Sequence, residues 1–327
     1  MTKLLLLGLG RWGANHLRNL SAMPIELYVA EMDSKRLDPA RKLGLPEARL
    51  TTDYRQFVAH ADGVVVVTPA QSHFSLCHEF LESGKDVFVE KPITLNSTEA
   101  RQLTELAEKN KRILQVGHIF RFDPGSEWLR EAIHRGAFGR LQILRSIFCG
   151  FKRPRNDSGV MYADAIHFVD LFNYLMGQAP TRVRAITQDF MGRGMEDASW
   201  ISLEYATVQG VTWATVETNY FLPGKFREVT VIGSALSAVC DYNVAQYKIK
   251  TFANRHVKEG NEFKAIEGAL HQVESPPEEP LLAELRAFVD SIQTRKAPRA
   301  DGWSGYVSVR VVEAALESAK SGQTVKL

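Results

Sequence analysis

The feature that most constrains the fold is a glycine-rich turn near the start of the chain. Residues 3–7 form an uninterrupted apolar run, a G-x-G-x-x-G pattern follows at once, and residues 14–22 have helical character. Strand, glycine turn and helix in this order are the context in which the pattern predicts dinucleotide binding. The turn then allows the backbone to approach a pyrophosphate at the N-terminus of the helix. The residues of this predicted cofactor loop are Gly8, Gly10, Arg11, Trp12 and Gly13.

An acidic residue follows the second predicted strand. Residues 25–30 are mostly apolar and end at Glu31, roughly 20 residues after the glycines. An acidic side chain at this position accepts hydrogen bonds from the ribose hydroxyls of NAD and repels the 2′-phosphate of NADP. Lys35 and Arg36 lie one turn further along, so NADP stays possible. We predict that NAD is the preferred cofactor.

Strands and helices alternate through the first third of the chain. Apolar runs at residues 63–67, 87–89 and 113–116 are separated by helical segments at residues 71–81 and 99–109. This alternation predicts an α/β fold with a doubly wound parallel sheet, a Rossmann domain that we assign to residues 1–122.

The pattern changes after residue 122. Strands that alternate apolar and polar residues, such as residues 200–205 and 211–219, predict a large, mostly antiparallel, open-faced sheet. A chain of 327 residues is long enough for two domains. We therefore assign residues 123–327 to a C-terminal α/β domain for substrate binding and oligomerisation.

Composition and charge exclude several classes of protein. The chain is 45% hydrophobic and 24% charged with a formal net charge of +2, which gives no reason to expect nucleic acid or membrane partners. The first apolar run is too short for a signal peptide or a membrane span. The three cysteines are widely spaced and form neither a disulfide framework nor a metal motif. We predict a cytoplasmic protein without a metal ion.

A Glu-Lys-Pro triplet directly follows the strand at residues 87–89. Before it come the glycine pattern and a Thr-Pro pair with a nearby histidine, and after it come Gly-His and Arg-Phe pairs. Motifs in this order resemble the Gfo/Idh/MocA oxidoreductase family, which implies a nicotinamide cofactor and a sugar or polyol substrate. The resemblance implies cofactor contacts from Thr68, Pro69, His73, Glu90 and Lys91, and substrate contacts from Lys91, His118 and Arg121.

A predicted helix at residues 160–176 carries the candidate proton carrier, His167. Histidine suits this task because its unperturbed pKa lies near neutrality. The resemblance implies that such a histidine meets the lysine of the triplet, Lys91, at the reacting hydroxyl. Family members often carry an aspartate four residues before this histidine. Here Ala163 stands at that position and Asp164 follows it. Asp164 can take the role of that aspartate, but its side chain leaves the helix in a different direction.

A basic run precedes this helix and has two interpretations. Arg153 and Arg155 can form a clamp for a charged substrate, such as the diphosphate of a nucleotide sugar. The alternative is a solvated loop beside Asp157. The segment at residues 117–119 is similar to sugar-nucleotide 3-dehydrogenases of the family, which is the reason to consider the clamp beside the solvated loop.

The sequence therefore predicts an NAD-dependent dehydrogenase. Hydride would pass between the nicotinamide and a secondary hydroxyl or ketone of a sugar, polyol or nucleotide sugar. Two alternatives stay open: an NAD-binding sensor without turnover, and a glycosidase-like or epimerase-like enzyme that oxidises transiently and retains its NAD. The resemblance also implies a homodimer or homotetramer that covers the open face of the C-terminal sheet.

Overall fold

The structure is a computed structural model that describes all 327 residues. Contacts divide the chain into two compact units. The first comprises Met1–Phe122 and Glu279–Val309, and the second comprises Asp123–Glu278 and Arg310–Leu327. The structure differs from the predicted division in one respect, because Glu279–Val309 packs with the first unit although the sequence placed all residues after 122 in the second.

The helices include one π-helical segment. The α-helices are α1 (Gly13–Ser21), α2 (Asp38–Lys42), α3 (Arg55–Val58), α4 (His73–Glu82), α5 (Ser97–Lys109), α6 (Pro124–His134), α7 (Ile166–Met176), α8 (Pro280–Thr294) and α9 (Gly302–Ser321). Short 3₁₀ turns lie at Ser34–Leu37, Glu47–Arg49, Ala70–Ser72 and Ile119–Phe122. Met161–Ala165 is π-helical and runs directly into α7.

The first unit contains a six-stranded sheet. Its strands are β1 (Lys3–Leu7), β2 (Glu26–Ala30), β3 (Leu50–Thr51), β4 (Gly63–Val66), β5 (Asp86–Glu90) and β6 (Leu114–Gly117). Their order is β3-β2-β1-β4-β5-β6, and every neighbouring pair is parallel. This is the doubly wound fold that the sequence predicts. The strand order reverses between β1 and β4, and in such sheets ligands bind at the carboxyl ends beside this point.

Helix α8 completes the core of the first unit. Leu281, Leu285 and Phe288 recur at the spacing of one helix face and are buried in the same apolar cluster as the strands of this sheet. The rings of Phe88 and Phe288 lie 5.8 Å apart. Burial of one such side chain contributes roughly 1.5–3 kcal/mol, which explains why α8 belongs to this unit.

The second unit contains a nine-stranded sheet and a separate hairpin. The strands are β7 (Leu141–Gly150), β8 (Arg182–Gln188), β9 (Ala198–Thr207), β10 (Gly210–Asn219), β11 (Lys225–Gly233), β12 (Ser237–Asp241), β13 (Ile249–Phe252), β14 (Arg255–Glu259), β15 (Glu262–Ile266), β16 (Leu270–Val273) and β17 (Val325–Lys326). The sheet has the order β16-β13-β12-β11-β7-β10-β9-β8-β17, and β14 pairs with β15. All of its pairs are antiparallel except that of β7 with β10, so the predicted mostly antiparallel sheet is confirmed.

The two faces of the nine-stranded sheet differ in burial. On the inner face, side chains such as Leu144, Leu203 and Val231 are fully buried. On the opposite face, five apolar side chains are 41–58% exposed. They form a patch that we call the open sheet face, which consists of Ile143, Ile186, Trp200, Val211 and Trp213.

None of the helices has the length and hydrophobicity that a membrane-spanning segment requires. The three cysteines, Cys77, Cys149 and Cys240, are buried and unpaired. Burial raises the pKa of each thiol, so these cysteines serve as small core side chains.

Candidate functional site

The glycine loop of the first unit has the shape that a dinucleotide requires. Gly8 has a φ of +90°, and a Cβ atom there would lie 2.7 Å from the carbonyl oxygen of Val67. A Cβ atom on Gly13 would overlap the Gly8 carbonyl, whereas at Gly10 no atom lies within 4 Å of the Cβ position. Gly8 and Gly13 therefore allow the loop to pack, and Gly10 leaves its backbone open to a pyrophosphate.

Glu31 is fixed at the end of β2 beside this loop. Its Oε2 accepts a hydrogen bond from the Leu9 amide at 2.7 Å, and its Oε1 accepts one from the Asp33 amide at 3.1 Å. A carboxylate has about four acceptor sites, so both oxygens keep lone pairs for hydroxyl donors. Glu31 and the glycine loop therefore fit the ribose and pyrophosphate of NAD.

We expect Glu31→Ser to lower the preference for NAD over NADP by about tenfold, because charge-assisted hydrogen bonds to ribose and the repulsion of a 2′-phosphate are both lost. The measurement is the ratio of kcat/KM for the two cofactors. The Leu9 amide also loses its acceptor, but that loss weakens both cofactors and cancels in the ratio. Glu105→Ser, an exposed carboxylate on α5, is the control. A ratio that Glu31→Ser leaves unchanged would remove Glu31 from cofactor selection.

Glu90 connects the glycine loop to the end of β5. Its Oε1 accepts from Trp12 Nε1 at 2.6 Å and faces His16 Nε2 at 2.7 Å, while its Oε2 accepts from the Lys91 amide at 3.2 Å. A Cβ on Gly117 would lie 3.0 Å from this carboxyl group. Burial raises the pKa of Glu90, but the hydrogen bonds from His16 and Trp12 and the charge of Lys91 outweigh it and lower that pKa below its ordinary value. The network therefore fixes the backbone from which the Lys91 side chain departs.

His73 joins the segments that follow β4 and β5. It is 1% exposed, with Nδ1 2.7 Å from the Pro92 carbonyl oxygen and Nε2 3.0 Å from the Thr68 carbonyl oxygen. The Lys91–Pro92 peptide bond is cis. His73 thus links the backbone of the sequence-predicted cofactor residue Thr68 to that of Pro92.

Two sequence-predicted substrate residues lie just after β6. His118 is 2% exposed and Arg121 is 7% exposed. An Nη1 of Arg121 donates to the Arg299 carbonyl at 2.7 Å, and Arg299 Nη1 donates to the Arg121 carbonyl at 3.0 Å. These reciprocal bonds connect Arg121 to the segment that contains Arg299. Substrate contact by His118 or Arg121 stays a prediction.

In the second unit the predicted helix at residues 160–176 is divided. Its first part is the π-helical Met161–Ala165 and the rest is α7, which ends at Gly177 with a φ of +67°. Glu196 Oε1 accepts from the Met161 amide at 3.1 Å. A π-helical turn changes the rotation between successive side chains and is frequent at functional sites. The direction of the Asp164 side chain relative to His167 therefore differs from the direction that α-helical spacing predicts.

Asp164 and His167 have different neighbours. Asp164 Oδ2 lies 2.8 Å from the Lys152 ammonium. The half-buried His167 ring lies 5.7 Å from the ring of Phe148 on β7, and the Lys152 ammonium lies 4.6 Å from the same Phe148 ring. The structure thus brings together a carboxylate, an ammonium and an imidazole around one aromatic ring.

One of the two arginines that were predicted to contact a charged substrate forms an ion pair within the chain. Arg155 makes two hydrogen bonds of 2.9 Å to the Asp157 carboxylate, which raise the pKa of Arg155. Arg153 is exposed on the same loop. Substrate contact by Arg153 and Arg155 stays a prediction.

Sequence reasoning missed three residues: His16 beside Glu90, Glu196 beside Met161, and Arg227, whose guanidinium lies 4.6 Å from the Phe148 ring. His16 showed no partner in the sequence, although it follows the glycine loop by one helical turn on α1. Arg227 had a usable signal, because it occupies an inner-face position of β11, two residues before the buried Val229.

Comparison with known proteins identifies the family. A family model described as "Oxidoreductase family, NAD-binding Rossmann fold" matches residues 2–118, and its companion, "Oxidoreductase family, C-terminal alpha/beta domain", matches residues 130–327. The chain belongs to the Gfo/Idh/MocA oxidoreductase family. The predicted resemblance, the Rossmann fold and the NAD cofactor are thereby confirmed.

Individual members of the Gfo/Idh/MocA family match along most of the chain. The chain is 27% identical to a scyllo-inositol 2-dehydrogenase (NAD(+)) of Bacillus subtilis strain 168, over 98% of this chain and 95% of that protein. It is 24% identical to a UDP-N-acetylglucosamine 3-dehydrogenase of Acidithiobacillus ferrooxidans, over 95% and 94%. A levoglucosan dehydrogenase solved with NADH and levoglucosan has a TM-score of 0.83 at 18% identity and 99% coverage of both chains, which shows a shared fold.

Proposed function

We propose that this protein is an NAD-dependent dehydrogenase that oxidises a secondary hydroxyl, or reduces the matching ketone, of a sugar, polyol or nucleotide sugar. The observation that carries the proposal is the Glu90 network, which ties the glycine loop to the backbone of Lys91. A protein that only senses NAD has no need to fix a lysine at the end of β5. The names of relatives in the same family, which include inositol and UDP-N-acetylglucosamine dehydrogenases, support the substrate class.

The bound nicotinamide accepts the hydride that the carbinol carbon gives up. The chain supplies the rest of the chemistry. We assign His167 as the group that takes the hydroxyl proton, and Lys91 as the cation that holds the reacting oxygen and stabilises its developing negative charge. Asp164 is assigned a positioning task, because its carboxylate pairs with Lys152 in the structure.

The test is a screen for NADH formation with NAD and a panel of polyols, aldoses, uronates and nucleotide sugars. We expect turnover with at least one class, measured by the absorbance of NADH. Tight NAD binding without turnover of any substrate would indicate a sensor. Consumption of a sugar without released NADH would instead indicate an enzyme that retains its cofactor.

We also propose that the protein assembles as a homodimer or homotetramer through the open sheet face. Five exposed apolar side chains lie on one face of four adjacent strands, and exposed apolar surface of this kind is found at protein interfaces. Trp213 pairs with Ile143 across the strands, and Trp200 pairs with Ile186.

Trp213→Glu is expected to reduce the particle mass to that of one chain, because it replaces an exposed apolar side chain of this face with a second carboxylate opposite Glu204. Light scattering coupled to size-exclusion chromatography measures the mass. The matched control is Phe263→Glu, an aromatic side chain that is 69% exposed on the β14–β15 hairpin, which should leave the mass unchanged. A wild-type protein that is already monomeric would contradict the proposal.

We infer a cytoplasmic location for the protein. The three buried thiols are unpaired, which suits a reducing compartment. A fluorescent fusion or cell fractionation tests this assignment.

A further inference from the structure

Arg227 lies on the inner face of the nine-stranded sheet beside Phe148. The register of β7 and β11 places the two residues directly opposite each other, and the guanidinium carbon of Arg227 lies 4.6 Å from the centroid of the Phe148 ring. The same ring lies 5.7 Å from the ring of His167. Arg227 and the proposed proton carrier therefore contact a common aromatic side chain.

Arg227 differs from Lys152 and Arg155 in having no carboxylate partner. Lys152 pairs with Asp164, and Arg155 pairs with Asp157. Arg227 makes no ion pair, and its Nε is buried without a hydrogen-bond partner. Burial lowers the pKa of Arg227, and the charge of Asp164 offsets only part of that effect.

A second guanidinium nearby is also incompletely paired. Arg193 donates from Nη1 to the Arg155 carbonyl at 2.7 Å, but its Nε and Nη2 are buried without partners. It acts electrostatically on Tyr220, whose ring lies 5.4 Å from the Lys152 ammonium. The region thus carries cations at Lys152, Arg155, Arg193 and Arg227 and carboxylates at Asp157, Asp164 and Asp189, and the guanidinium groups of Arg193 and Arg227 make no ion pair.

A desolvated guanidinium without a counter-ion is unfavourable, and the face of Phe148 compensates for only part of that cost. A bound anion would supply the missing charge and accept hydrogen bonds from the planar fork, a geometry that suits a carboxylate or a phosphate. Because Arg227 sits on a strand, its position is set by the sheet and does not depend on a loop.

We propose that Arg227 binds an anionic group of the substrate, either a carboxylate or a phosphate, on the same molecule whose hydroxyl reacts. This proposal rests on the proposed dehydrogenase function and narrows its substrate to acidic sugars or phosphorylated sugars. Arg227 is thus a specificity residue and not a proton carrier. It lies on β11, whereas the clamp that the sequence predicts lies on the loop with Arg153 and Arg155.

The test compares matched substrates with the full-length protein and NAD. Glucuronate and a glucose phosphate are each compared with glucose, and the panel also includes a nucleotide sugar. We expect the wild type to prefer one anionic form in kcat/KM, and the preferred form identifies the group. Arg227→Gln should reduce that preference about tenfold to a hundredfold, mainly through a higher KM for the anionic substrate.

Two comparisons separate binding from a merely structural role. Arg227→Lys keeps the cation without the fork, so it should restore part of the preference. Arg255→Gln, an exposed arginine on the β14–β15 hairpin, should match the wild type. If Arg227 only packs against Phe148, Arg227→Gln will lower kcat for charged and neutral substrates alike and leave their ratio unchanged, which would overturn the proposal. If the Arg227→Gln variant does not fold, the preference for anionic over neutral substrates in the wild type and in Arg227→Lys tests the proposal instead.

Equilibrium binding distinguishes this proposal from the proposed function. If no substrate of the panel turns over, the dehydrogenase function fails, and calorimetry with glucuronate, the glucose phosphate and the nucleotide sugar in the presence of NAD still tests the anion site. Binding that Arg227→Gln weakens supports the site. Equal binding of anions by the wild type and by Arg227→Gln, or a wild type that prefers glucose, overturns it.

Discussion

His167→Ala is expected to lower kcat by about a hundredfold or more, as loss of a general acid or base does, while NAD affinity is preserved. His167 lies on α7 in the second unit, with its ring 5.7 Å from Phe148, whereas the glycine loop and Glu31 belong to the first unit. The limb of the pH–rate profile that reports the proton acceptor should disappear in the variant, and added imidazole should restore part of the rate.

The control for this prediction is His134→Ala, because His134 is an exposed histidine at the end of α6 in the same unit. Asp164→Asn should cost less, about tenfold, since it removes one charged partner of Lys152 and leaves the imidazole in place. Nearly full turnover in His167→Ala with a confirmed substrate contradicts the assignment. Loss of NAD binding in that variant would mean that His167 acts on the cofactor and not on the substrate.

The first unit was largely predictable because its signals are local in sequence. Each strand of a parallel sheet buried on both faces is a short apolar run, so the run at residues 63–67 could be assigned without knowledge of its neighbours. Gly8 was informative because only glycine tolerates its φ of +90° beside the Val67 carbonyl. Gly177 predicted the end of α7 for the same reason.

Features that depend on distant segments could not be predicted in this way. Arg227 and Phe148 face each other only because β11 pairs with β7, and no spacing in the sequence reports that register. The π-helical turn at Met161–Ala165 leaves the apolar pattern nearly intact but changes where Asp164 points. The place of helix α8 in the first unit depends on the contact between Phe288 and Phe88, which joins segments that are distant in the sequence.

The network around Glu90 was predicted in part from the sequence and completed by the structure. The sequence identified the Glu-Lys-Pro triplet by its place at the end of an apolar run, which is β5 in the structure, and the resemblance gave it a role at the cofactor. The structure adds that His16 and Trp12 hold the carboxylate from the side of α1 and the glycine loop. Glu90 therefore joins the glycine loop to the Lys91 backbone through hydrogen bonds.

Lys91→Ala is expected to cost about a hundredfold or more in kcat, because the reacting oxygen loses the cation that stabilises its developing negative charge. The Lys91 amide that bonds to Glu90 Oε2 at 3.2 Å is retained in this variant, so the Glu90 network and NAD binding should change much less than turnover. Steady-state kinetics and NAD titration measure the two effects separately. Lys109→Ala, an exposed lysine on α5, is the control, and near-normal kcat in Lys91→Ala would remove the lysine from the chemistry.

The same pair of variants decides which residue carries the proton. A lysine enclosed beside a cofactor and a substrate can itself titrate near neutrality, so the roles of Lys91 and His167 could be exchanged. If His167 is the acceptor, its limb of the pH profile survives in Lys91→Ala and vanishes in His167→Ala. If Lys91 is the acceptor, the pattern reverses, and a small amine added to Lys91→Ala restores turnover with a pH dependence that follows the pKa of the amine. A limb that survives in both variants would assign the proton transfer to neither residue.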